Sequence, residues 1–121
     1  MGYNALLERM GQVNDLLCAG SVLSWDERTM MPPGGAETRG KQLATLKVFA
    51  RNHLVADETR RLLDAAEAEV SSLADDSVER TICAHVREAI DYHLRIPSEL
   101  LQRRAEVGSR GHHVWVKARA D

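Results

Sequence analysis

Residues 24–46, "SWDERTMMPPGGAETRGKQLATL", lie between two stretches that carry ordinary amphipathic helical spacing. The segment holds the aromatic-acid pair Trp25-Asp26, two methionines, Pro32-Pro33 and Gly34-Gly35. Proline lacks the N–H a helix interior needs, and it pushes the residue before it toward an extended conformation. A first helix therefore ends between Asp26 and Met30. The glycines turn the chain, and a second helix restarts at Ala36 or Glu37. This Pro/Gly corner at 30–35 divides what would otherwise be one continuous helical pattern.

Working outward, Leu6, Met10, Val13, Leu17, Gly20 and Ser24 follow a 4-3-4-3-4 spacing, and Leu7 and Leu16 widen the stripe. Beyond the corner, Ala36, Arg39, Leu43, Leu46 and Ala50 share a face, with Asn52 and His53 as terminators. Asp57 reads as the cap of a third helix carrying Leu62, Leu63, Ala66, Val70 and Leu73. Asp75, Asp76 and Ser77 offer a cap for a fourth helix, whose stripe is Val78, Ile82, Val86, Ala89 and Ile90. Pro97 suits the first turn of a fifth. Its stripe, Leu101, Ala105, Gly108, His112 and Trp115, is mostly small residues. No strand signal competes, so the fold class is all-α, with about five helices in a single helical segment spanning 1–121.

Composition narrows the function. A chain of 121 residues is one domain at most, able to bury about two thirds of its unfolded surface. Aromatic residues make up only 4%, so the core rests on Leu, Val and Ala. Sixteen basic against eighteen acidic residues leave a net charge of -2, which provides no electrostatic footprint for nucleic acid or an anionic membrane. The most apolar run, Leu16 to Trp25, is half what a spanning helix needs. The acidic residues ahead of it do not suit a signal peptide. Cys18 and Cys83 form no CxxC pair and read as buried free thiols of a cytoplasmic protein. The closing "HHVWVKARAD" reads as the middle of a helix, with no cap or turn to finish it, so the sequence looks cut.

Residues 22–46 resemble the beginning of the carboxypeptidase Taq family of zinc metallocarboxypeptidases. The resemblance lies in a Trp-Asp, a Met-Pro and a following Arg that leads into a Leu-rich stripe, here Trp25, Asp26, Met31, Pro32 and Arg39. Residues 95–121 add a Pro-led helix with a Trp followed by Ala-Arg, at Pro97, Trp115, Ala118 and Arg119. The resemblance implies a larger, almost wholly helical homodimeric enzyme that removes C-terminal amino acids from peptides, with N-terminal helices roofing its groove. In such enzymes the two His of an HExxH motif and a downstream Glu hold zinc, while the motif's Glu activates water. None of the five histidines here, His53, His85, His93, His112 and His113, is followed by Glu. No catalytic or metal-binding residue carries over. Zinc is expected only in the full-length enzyme, whose catalytic domain lies outside this stretch.

Rival chemistry in the chain is thin. His85, Glu88 and Tyr92 share a helix face, but two or three such groups need ligands from elsewhere, and a solvated flank accounts for them equally well. The adjacent His112 and His113 point to different sides. Cys18 sits in an apolar run without a base, as an inert core thiol would. Arg39 is the exception, because it lies on the apolar stripe and an inward guanidinium needs an acceptor. Asp26 is the candidate and Glu37 a poorer one. With Trp25 and Met31 packed beneath, the pair either staples the corner or lines the peptide groove.

Two functional expectations follow. The first is an N-terminal portion of a metallocarboxypeptidase that acts as scaffold and groove roof, is inactive alone, and meets peptide substrate only in the complete enzyme. The alternative is a standalone helical module that pairs with itself. Both expect self-association through Leu101, Ala105, Gly108 and Trp115, and neither involves nucleic acid or membrane.

Overall fold

A computed structural model describes residues 2–121. The described residues form five α-helices: α1 (Gly2–Thr29), α2 (Ala36–Val55), α3 (Asp57–Val70), α4 (Val78–Leu94) and α5 (Ser98–Ala120). A single 3-10 turn, Pro33–Gly35, stands between α1 and α2, and the described residues include no strand. The all-α class is therefore confirmed. The chain divides into two compact units, Met1–Asn14 with Arg51–Ile96, and Asp15–Ala50 with Pro97–Asp121.

In the first unit the start of α1 packs with α3 and α4 around Leu6, Leu63, Ala66, Val70, Cys83, Val86 and Ile90. Burying side chains such as Leu6 and Leu63 contributes about 1.5–3 kcal/mol each. Gly2 allows the close start of α1, since a Cβ there would fall 2.9 Å from the Ala65 carbonyl carbon. Arg87 on α4 bonds Glu67 and Asp64 on α3, each at 2.6 Å. Those two carboxylates hold its guanidinium charged by raising its pKa, against the smaller effect of burial.

A polar knot ties the end of α2 into this unit. Thr59 is fully buried; its hydroxyl donates to the His53 carbonyl at 2.6 Å and accepts from Arg9 Nε at 2.9 Å. Arg9 also pairs with Glu58 at 3.1 Å. These bonds satisfy a carbonyl that a helix end leaves open. The helix runs on to Val55 rather than stopping at Asn52 or His53, and ends where Ala56 turns extended (φ -58°, ψ 149°). Asp57 is consequently the first residue of α3 rather than its cap, and its carboxylate pairs with Arg60. Ser77 caps α4 as expected, accepting from the Arg80 N–H.

The second unit is built on smaller residues. Leu43, Ala44, Ala50 and Ala105 are buried, with Gly40 and Ser109 among them. A Cβ at Gly40 would sit 3.3 Å from Ser109 Cβ, so the missing side chain sets how closely α2 and α5 approach. Pro97 lies one residue ahead of α5 as its cap, and its carbonyl accepts from Leu100 and Leu101.

Several expectations about burial need correction. Trp25 is 62% exposed. It falls two residues from Glu27, whose side chain points inward, and positions two apart do not share a helix face. Cys18 is exposed for a similar reason, lying beside the inward stripe rather than on it, whereas Cys83 is buried. Leu17 is half exposed, so the inward line of α1 passes beside it.

Candidate functional site

The corner after α1 is closed by backbone bonds. The Asp26 carbonyl accepts from Met30 N–H at 3.0 Å and Met31 N–H at 2.9 Å, and Gly35 N–H donates to Pro32. Pro32 and Pro33 cannot donate, so the chain leaves the helix there. Met31 is half-buried against Gly35, where a Cβ would come within 3.1 Å of its side chain. Pro32 is exposed.

Arg39, one turn into α2, reaches back to the last turns of α1. Its Nη1 donates to the Leu23 carbonyl at 2.8 Å and to Asp26 Oδ2 at 2.9 Å, while its Nε donates to Gln42. The Arg39 side chain is 15% exposed and that of Asp26 35%. The pair closes the corner with Met31 beside it, and Trp25 stands away from it in solvent. Glu37 takes no part; it pairs with Lys41, which holds its carboxyl below the usual range.

A second cluster lies in the same unit. Glu27 keeps only 6% of its side chain exposed. Its Oε1 accepts from the Ser109 hydroxyl and lies 3.2 Å from His113 Nε2. The carboxylate stands between the hydroxyl and the imidazole. A Ser nucleophile needs the imidazole beside its own oxygen, so this order makes a clamp for α5 and not a nucleophilic relay. His113 also lines an open cavity of about 560 Å³ together with Glu37, Lys41, Glu106 and Arg110. Sequence reading missed Glu27 altogether. The available signal was its position seven residues after Gly20, on the inward face of α1.

The remaining candidates are dispersed. Ala105 is buried in the core and Leu101 half-buried, while Gly108 and Trp115 are exposed, Trp115 at 56%. Those four do not form one free face, because the inward line of α5 runs Leu101–Ala105–Ser109. Trp115 stacks instead on His112 at 6.3 Å, with the Arg119 guanidinium 5.3 Å from its ring centre. His85, Glu88 and Tyr92 are exposed along α4 and line a broad polar groove. Among the described residues no three His, Cys, Asp or Glu side chains converge as metal ligands would, and no helix is long and apolar enough to cross a membrane.

Trp25, Asp26, Met31, Pro32 and Arg39, on which the resemblance to the carboxypeptidase Taq family rests, all lie at this corner between α1 and α2. The chain belongs to that family: residues 5–121 match the model of the carboxypeptidase Taq (M32) metallopeptidases. It is similar to thermostable carboxypeptidase 1 of Thermus thermophilus, with 29% identity over 120 residues. The match covers 97% of this chain and 23% of that protein, so the chain spans about a quarter of its relative's length. No solved structure matches it. The family is one of metallopeptidases, but no cluster among the described residues fits a metal site. No residue is assigned as a ligand.

Proposed function

We propose that this chain is the N-terminal helical portion of a zinc-dependent metallocarboxypeptidase, where it forms scaffold and roof for the groove in which peptides lose their C-terminal residues. One observation carries the reading: a family match over residues 5–121 that spans only 23% of a relative's length. In this role the Arg39–Asp26 staple and the Glu27 clamp hold the helices in place, and the zinc ligands come from the remainder of the enzyme. The segment acts in the cytoplasm and has no peptidase activity alone. Metal analysis and a peptide-release assay on the 121-residue chain test this directly. One tightly held zinc per chain, or release of C-terminal residues, overturns it.

A second reading has its own support. Trp25, Phe49, Val114 and Trp115 are all more than half exposed, and large apolar side chains in solvent are what an association surface offers. A standalone module that pairs with itself would cover such surface with a two-fold contact. Light scattering tests the pairing itself: a monomer mass that Trp115→Ala leaves unchanged removes the second reading.

A further inference from the structure

The end of α4 carries an arrangement that the proposed function does not use. Arg51, near the end of α2, extends its Nη2 to the carbonyls of His93 and Ile96, at 3.0 Å each. These belong to the last turn and exit of α4, where helix carbonyls lack partners and a cation is favoured. Arg51 has no carboxylate within ion-pair distance among the described residues; its one other bond is to Asn52 Oδ1 at 3.3 Å. Two nitrogens at this junction are buried without a hydrogen-bond partner, Arg51 Nε and His93 Nδ1.

We propose that Arg51 and His93 form an acid-released latch on the C-terminal end of α4. With His93 neutral, the Arg51 guanidinium holds the carbonyls of the exit turn at His93 and Ile96. With His93 protonated, a second positive charge adjoins Arg51 where Arg51 Nε and His93 Nδ1 are buried without a hydrogen-bond partner. The cheapest relief is for Arg51 to leave the carbonyls, freeing the turn that leads into Pro97.

The surrounding charges do not cancel this repulsion. From α2 come Arg51 and the uncharged Asn52. From α3 comes Glu67, already bound to Arg87. Along α4 lie His85, Arg87, Glu88, Asp91, Tyr92 and Arg95, and α1 contributes nothing to this groove. Burial, and then the Arg51 charge, lower the His93 pKa from its ordinary value. A folded-state value below the unfolded one means that the unfolded chain binds the proton more readily. The stability from neutral His93 is therefore present above the ordinary histidine value and is lost as pH falls below it. His53 is shifted the same way, by burial and Arg9, so the test must resolve individual residues.

The test is an NMR titration of the isotope-labelled chain, following the His93 imidazole and amide exchange at Arg95 and Ile96. Those amides donate to the Tyr92 and His93 carbonyls at 3.2 Å. We expect His93 to titrate below 6.5. Over the same range, exchange at the two amides should quicken roughly tenfold beyond its intrinsic pH dependence. His93→Phe should abolish that acid response while leaving exchange at neutral pH slow, with His93→Gln as the second variant should Phe not fold. Arg51→Met should return the His93 midpoint toward its ordinary value. A His93 midpoint at or above 6.5, or an acid response that persists in the His93 variants, overturns the latch.

Discussion

Replacing Glu27 tests whether the clamp on α5 carries stability. The carboxylate is 6% exposed and receives the Ser109 hydroxyl, with His113 Nε2 at 3.2 Å. Glu27→Ala removes the acceptor and leaves Ser109, itself 6% exposed, without a partner. A hydrogen bond to a charged group is worth about 1.5–3 kcal/mol, and the lost methylenes add about 0.8 kcal/mol each where buried. The expected cost is about 3 kcal/mol, roughly a hundredfold in the folded-to-unfolded ratio. Glu27→Gln keeps an oxygen for Ser109 and should cost about 1 kcal/mol. Urea unfolding followed by helical circular dichroism measures both. A cycle with Ser109→Ala should return a coupling of about 1.5 kcal/mol. If Glu27→Ala stays within about 0.5 kcal/mol of the parent, or Gln costs as much as Ala, the clamp reasoning fails.

Asp26→Ala should cost about 1 kcal/mol in the same assay, because Arg39 keeps the Leu23 carbonyl and Gln42 and the pair is partly screened. A loss above about 3 kcal/mol would mean that the guanidinium depends wholly on Asp26. Thr59→Val preserves shape but strips Arg9 Nε of its acceptor and the His53 carbonyl of a donor. It should cost about 2 kcal/mol, and a neutral result would show that the knot around Arg9 is dispensable. A thiol reagent near neutral pH should label Cys18 promptly and Cys83 only on unfolding, since Cys83 is buried and burial pushes its thiol pKa up. Equal labelling rates would contradict the burial pattern.

Much of the helix pattern was legible because it depends on neighbours. Pro32 and Pro33 stop α1 whatever surrounds them, Ser77 caps α4 from within its own turn, and the stripe from Leu62 falls on α3 as far as Val70, although its last member, Leu73, lies beyond the helix and is exposed. The Arg39–Asp26 pair was legible too, because a cation on an apolar stripe must find an acceptor and only thirteen residues separate the two. Residue type misled at Trp25 and Cys18. Both are usually buried, yet both sit off the inward line of α1.

By itself the sequence determined the all-α class, the corner and the family, because local spacing, backbone sterics and a distinctive run of residues decide all three. Tertiary structure alone decided the polar clusters. Glu27 meets Ser109 across 82 residues, Thr59 meets Arg9 across 50, and Arg51 meets Ile96 across 45. A carboxylate or hydroxyl written in a helix looks solvated until a distant helix takes the water away. Its partner is then chosen by which backbone approaches closely enough, as Gly40 permits for Ser109.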